Sequence, residues 1–251
     1  MLRTTELGTG PAVLLLHGLP SPPAELVRLG ATLHGRRVLV PSMPGYAGAP
    51  PAPGRQDIAS IECAILALLA ERGVAEVDVV GTSMGAYRAI RLALSGRVVV
   101  RSLALLGAFA GLSAEERDAM RGLAGALRGG VDLSGVLAPR MLSKAAVTEP
   151  AFVSAVEEWL SLAPPEVLIE ELEDLADAVS LLERIGELDI PITLRTGAED
   201  SAMPPAHAES IAARARHAAL EIVPGAGHAL LVEDFAETSR SVGRAVSRSM
   251  R

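Results

Sequence analysis

Short apolar runs that end in glycine or proline alternate along the chain with longer segments whose apolar residues recur every three or four positions. The first kind fits strands buried on both faces, the second helices with one apolar stripe. Strands are predicted at 2–7, 12–16, 37–41, 77–81, 99–106, 190–196 and 219–223, and helices at 23–33, 84–95, 205–215 and 234–248. Between the third and fourth strands, "QDIASIECAILALLAERG" sets Ile58, Ile61, Ile65, Leu68 and Leu69 on one stripe, with Asp57 near its start and Gly73 just past its end. That pattern predicts a helix facing the core. Repeated strand-helix units of this kind predict an α/β fold, a mainly parallel sheet of about seven strands flanked by helices.

One stretch breaks the alternation. From 111 to 186 only helical segments are legible, among them "SAEERDAMRGLAGAL", "EPAFVSAVEEWLSLA" and "PEVLIEELEDLADAVSLLERI". An all-helical block between the fifth and sixth strands has no place in the sheet and is expected to cover one edge of it. The expected division is a core domain of 1–110 and 187–251 carrying a helical cap of 111–186. No internal repeat or low-complexity linker interrupts the 251 residues.

Composition narrows the partners. Apolar residues make up 49% and mean hydropathy is +0.34, yet the longest uncharged apolar stretch, "SLALLGAFAGL" at 102–112, falls far short of the ~18 residues of a membrane span. Solubility, with no membrane partner, is the expectation. "MLRTTELGTG" places no apolar block behind a basic start, so no secretory signal is expected and the cytoplasm is the default. Cys63 is the single cysteine, which rules out a disulfide within the chain and any cysteine-based metal site; no metal and no cofactor are expected. Net charge is −7, and the longest basic cluster is the pair Arg36-Arg37, which argues against nucleic acid. Lys144 is the only lysine, a matter of composition before function. Nothing in the sequence fixes the oligomeric state.

The chemistry begins at "VVGTSMGAYR", 79–88. Strand, Gly81-Thr82-Ser83-Met84-Gly85, then helix is the setting in which G-x-S-x-G is a nucleophile elbow: the serine sits on a strained turn above a helix N-terminus, where a developing anion is favoured. Alone the pentapeptide is also compatible with an ordinary tight turn. A second strand runs into "HGLP", 17–20. Acyl transfer needs two N–H donors for the oxyanion, one following the nucleophile and one from such a loop, and Met84 and Leu19 occupy those positions. His17 reads as a holder of loop backbone. Late in the chain, "PITLRTGAEDSAMPP" carries Glu199 and Asp200 after a strand, and "EIVPGAGHALLVED" carries His228 after the last strand. A serine, an acid and a histidine in this order supply a nucleophile, a base for its proton and a carboxylate to orient the base. His34, His207 and His217 are less well placed.

Taken together, "HGLP", "PSMPGYAG", "GTSMG", "TGAEDSAMP" and "GAGHALLVE" resemble the α/β-hydrolase superfamily in order and approximate spacing over nearly the whole chain, on its serine-nucleophile esterase and lactonase side. The resemblance implies Ser83 as nucleophile, His228 as base, Asp200 rather than Glu199 as the acid, and the Leu19 and Met84 N–H groups as oxyanion donors. It also departs from the family. Relatives often begin with two antiparallel strands, and about eight residues precede "GTGPAVLLLHG", so one strand is expected to be lacking. Ser42 stands where relatives commonly carry Asp, which bears on how that loop is anchored. "HGLP" is similar to branches with an aspartate nucleophile, but the serine here favours acyl chemistry.

The implied function is hydrolysis of small or medium carboxylic esters or lactones through an acyl-enzyme. C–C hydrolysis, lyase or perhydrolase chemistry on the same three residues, or a slow-turnover small-molecule receptor, are the alternatives, with Lys144 the only pointer to a lyase. Trp159, Met141 and Phe152 are the cap residues expected to line a substrate pocket.

Overall fold

All five side chains of β2 (Ala12–Leu16) are buried, and they alternate between two apolar layers. Leu14 and Leu16 join a cluster with Ile65, Leu68 and Tyr87, while Val13 and Leu15 join one with Leu26, Leu29 and Val242. A strand covered by helices on both faces has no solvent side to mark with polar residues. That is why β2 reads as an unbroken apolar run.

The computed structural model describes residues 2–52, 54–55 and 57–248. Their seven strands are β1 (Thr4–Leu7), β2, β3 (Arg37–Pro41), β4 (Glu76–Thr82), β5 (Val99–Leu106), β6 (Ile192–Gly197) and β7 (Ala218–Val223), in the spatial order β1-β3-β2-β4-β5-β6-β7. β1 runs antiparallel to β3, and the remaining neighbours are parallel. Each strand lies within two residues of the bounds expected from the apolar runs. One face is covered by α1 (Pro23–Gly30) and α10 (Phe235–Arg248), the other by α2 (Ile58–Glu71), α3 (Met84–Ser95) and α8 (Pro205–Ala212). A short α9 (Leu230–Glu233) leads into α10. The start of α2 follows from its sequence: the Asp57 side chain accepts the Ser60 N–H at 2.6 Å, and the Ser60 hydroxyl accepts the Asp57 N–H at 3.0 Å, a reciprocal cap.

Between β5 and β6 the chain forms α4 (Ala114–Arg128), α5 (Ser134–Met141), α6 (Pro150–Ser161) and α7 (Pro165–Asp177), with no strand among the described residues. α6 and α7 each open with a proline, which suits a first turn whose N–H groups have no helical acceptor. The four helices form two pairs. α4 packs along α7, and Met120, Ala124, Leu168 and Leu172 extend the main core on the α3 side. α5 packs on α6 in a smaller cluster with Met141, Val156, Trp159 and Ala229. Among the described residues no helix is long and apolar enough to cross a membrane.

Candidate active site

The central strand β4 ends at Thr82 and α3 begins at Met84, leaving one residue to make the turn. That residue, Ser83, takes φ 52° and ψ −119°, a backbone conformation costing a non-glycine residue on the order of 1–3 kcal/mol. The neighbouring backbone holds it there: the Ser83 N–H donates to the Leu106 carbonyl at 2.9 Å, and its own carbonyl accepts from Ala86 N–H at 2.8 Å. The flanking glycines are steric requirements. A Cβ on Gly85 would lie 2.0 Å from the Leu16 carbonyl oxygen, and one on Gly81 2.4 Å from the Gly85 oxygen. The G-x-S-x-G spacing is thus the imprint of a helix pressed against two strand ends.

Asp200 follows β6 and His228 follows β7, so parallel strands deliver both to the same edge as Ser83. His228 Nδ1–H donates to Asp200 Oδ2 at 2.7 Å. Asp200 Oδ1 accepts the N–H groups of Ala202 at 3.0 Å and Met203 at 2.7 Å, which fixes the carboxylate. With Nδ1 engaged, the Nε2 lone pair is the one left for a proton. Glu199 turns elsewhere and accepts the Lys144 N–H at 2.8 Å, tying the helical segment to the loop after β6.

Two contributors had no motif to announce them. Gly107, at the end of β5, has φ +54°, and a Cβ there would lie 2.8 Å from His228 Cε1 and 2.9 Å from Nδ1. Its absent side chain is the space the imidazole occupies. The only trace in the sequence is a glycine closing an apolar run. Glu233 accepts the Gly227 N–H at 3.1 Å and the Ser143 N–H at 3.2 Å, and so holds the backbone beside His228.

His17 is buried, and burial lowers it to about 4. Its Nε2 accepts the Met43 N–H at 3.0 Å and its Nδ1–H donates to the Gly18 carbonyl at 3.0 Å. The neutral ring therefore joins the loops after β2 and β3 and so anchors the segment that carries Ser42. Ser42 itself donates its N–H to the Arg3 carbonyl at 2.8 Å. Tyr46, 4.8 Å from the His17 ring, donates to Glu171 of α7 at 2.5 Å, and Glu171 pairs with Arg88 of α3. This buried cluster fastens α7 to the core, and spacing in the sequence could not reveal it.

Two cavities meet at Ser83. The larger, about 750 Å³, is lined by Met84, Met120, Leu168, Leu172 and Leu175 together with Leu19, Ser83 and His228. The smaller, about 440 Å³, shares Leu19, Ser83, Met141 and His228 but adds Ser21, Glu25, Thr82 and Trp159. Met84 is the first residue of α3, so its N–H has no acceptor within the helix. Of the three expected lining residues, Met141 borders both cavities and Trp159 the smaller. Phe152 borders neither: it packs, half-buried, in the α5–α6 cluster, because its side of α6 turns toward α5. Lys144 is exposed. His207 pairs with Glu116 at 2.7 Å and His217 with Asp189 at 3.0 Å. No cluster of three metal-ligating side chains occurs among the described residues.

A mainly parallel sheet with a strained serine turn at its central strand and an acid–histidine pair on later loops is the architecture of an α/β hydrolase. Residues 13–240 match the model of the alpha/beta hydrolase family; the chain belongs to that family. It is similar in structure to a thermophilic esterase from Thermogutta terrifontis with malate bound, with TM-score 0.91 and 22% identity over 100% of this chain and 94% of that one. It is also similar to MenH from S. aureus, with TM-score 0.88 and 16% identity over 100% of both chains. A third similar structure is a bromoperoxidase from Bacillus anthracis, with TM-score 0.81 and 16% identity over 98% of this chain and 94% of that one. No curated protein gave a significant match. Three differently named proteins on one fold leave the chemistry to be argued from the site.

Proposed function

We propose that the protein is a serine hydrolase of small or medium carboxylic esters or lactones, with 111–186 acting as a cap over the core of 1–110 and 187–251. The observation that carries this reading is that Ser83, on a strained turn, borders the same cavities as a histidine already oriented by a buried aspartate. Ser83 Oγ attacks the substrate carbonyl and gives its proton to His228 Nε2. Asp200 holds the imidazole and stabilises its charged form. The N–H groups of Leu19 and Met84 take the oxyanion. Collapse of the tetrahedral adduct breaks the bond to the leaving oxygen, which receives the proton from His228. Water, deprotonated by His228, then attacks the acyl-enzyme and releases the acid, restoring Ser83.

Leucine and methionine dominate the larger cavity, which suits an aliphatic acyl chain. Such a wall discriminates by only about 1–3 kcal/mol per methylene, so the acyl optimum is broad. The exposed Lys144 gives no support to the lyase alternative. The test is kcat/KM for p-nitrophenyl esters from acetate to palmitate, with Ser83→Ala as blank. A broad maximum at short or medium chains that vanishes in the blank is expected. A maximum at palmitate, a single burst without turnover, or undiminished activity in Ser83→Ala would overturn the reading.

A further inference from the structure

Beyond the serine, histidine and aspartate, two titratable side chains border the cavities without a part in this cycle, Arg140 on the larger and Glu25 on the smaller. Glu25 of α1 borders the smaller cavity with Ser83 and His228. Trp159 of α6, whose indole N–H is a donor, borders the same cavity. The nearest cation on Glu25's own helix, Arg28, lies over the Phe235 ring at 3.6 Å and acts on Glu25 only through space. A carboxylate has about four acceptor positions, of which one indole N–H can occupy only one. Acceptor capacity therefore remains on a carboxyl group that borders the nucleophile's own cavity.

Both cavities are mostly apolar, and they differ in which polar residues stand on their walls. Leucine and methionine dominate the larger, with Arg140 its one charged side chain besides the catalytic histidine, whereas Ser21, Glu25, Thr82 and Trp159 stand on the wall of the smaller. A carbonyl carbon bonded to Ser83, with its oxygen held by Leu19 and Met84, has two further substituents, the acyl chain and the leaving oxygen. These diverge, and two cavities meeting at Ser83 receive one each. An aliphatic chain belongs against leucine and methionine, where burial is favourable. A polar alcohol belongs where its hydrogen bonds can be met.

We propose that the smaller cavity is the leaving-group subsite and that Glu25 selects esters whose alcohol carries a second hydroxyl, such as monoesters of a glycol or of glycerol. This rests on the serine-hydrolase reading above. Burial pushes Glu25 up to about 7, so near neutral pH both of its forms are populated. A hydroxyl suits both, donating to the carboxylate and accepting from the acid, whereas an ammonium suits only the carboxylate. The other titratable group bordering this cavity is His228, which returns its proton to the leaving oxygen as the carbonyl C–O bond breaks, so that the diol departs neutral.

The experiment compares kcat/KM for 2-hydroxyethyl butyrate, its isostere propyl butyrate, and propyl 3-hydroxypropanoate, which carries the hydroxyl on the acyl side. The wild type is expected to prefer 2-hydroxyethyl butyrate over propyl butyrate about tenfold, the effect of one hydrogen bond to a partly charged group. Glu25→Leu should bring that ratio near one, while Glu25→Gln, which keeps an acceptor oxygen, should retain part of it. A wild-type ratio near one, a ratio that survives Glu25→Leu, or a preference for propyl 3-hydroxypropanoate would overturn the proposal. If Glu25→Leu fails to fold by circular dichroism, the wild-type ratio and Glu25→Gln decide. Turnover that persists in Ser83→Ala sinks the underlying hydrolase reading instead, and is recognisable because it does not depend on Glu25.

Discussion

Ser83, Asp200 and His228 stand on turns where backbone meets backbone so closely that glycines are the only residues that fit, as the 2.0 Å clearance at Gly85 shows. The opposite wall of the larger cavity is made of Met120, Leu168 and Leu172, side chains on α4 and α7 packed by ordinary apolar contact. Under the proposed mechanism, a change of one atom on the first wall displaces a reacting group. On the second it alters only the shape offered to a substrate. On the proposed reading, the difference teaches that the chemistry depends on main-chain geometry and the choice of acyl chain on side-chain volume.

The first wall should therefore break sharply. Asp200→Asn is expected to lower kcat by about 10³–10⁴-fold, since the amide holds the imidazole in the wrong tautomer; Glu199→Gln, at a carboxylate that accepts the Lys144 N–H, should stay within about tenfold. Steady-state kinetics on one short-chain ester separates the two, and the reverse order would assign the acid to Glu199.

His17 gives the same wall a pH signature. Its folded value of about 4 lies below the usual imidazole value of about 6.5, so the unfolded chain binds the proton first. Its contribution is complete above about pH 6.5 and is lost as pH falls towards 4, about 3 kcal/mol in all. Glu25, raised to about 7, and Asp174, raised to about 6, act with the opposite sign, contributing at low pH and losing that contribution as pH rises through those values. Urea melts at pH 7.5 and 4.5 should accordingly show a larger loss for the wild type than for His17→Gln. An equal loss in both would mean that the ring is not held neutral.

Gly107→Ala sharpens the contrast further. The added methyl would press on His228 at 2.8 Å, and misplacement of a base on that scale costs about 10²-fold in kcat. KM should move little, because His228 is the one cavity-lining residue that the methyl meets. A raised KM with unchanged kcat would move Gly107 out of the account. On the second wall, Leu172→Ala should shift the best acyl chain by one or two carbons towards longer esters and change kcat/KM by about tenfold, measured over the p-nitrophenyl series. A loss as deep as that of Asp200→Asn would erase the distinction between the walls.

The same division explains what was legible in the sequence. The strands could be read because helices on both faces leave only apolar residues in β2, and the elbow because Gly81 and Gly85 have no substitute. Asp200 and His228 were legible through their order along parallel strands, which end at one edge. Gly107 was not, since a glycine ending a strand has many causes, and Glu171 was not, since its partners Tyr46 and Arg88 lie 125 and 83 residues away. Phe152 was misplaced for a related reason. An aromatic on an amphipathic helix marks the buried face, and which neighbour covers that face is settled by packing that no local pattern records.

The central claim, that Ser83 is the activated nucleophile, is tested most directly by treating the folded protein with a fluorophosphonate and mapping the modified peptide by mass spectrometry. One adduct per chain is expected, on Ser83, slowed by Asp200→Asn and absent from Ser83→Ala. Modification of another residue, or ester turnover by a protein whose Ser83 stays unmodified, would contradict it.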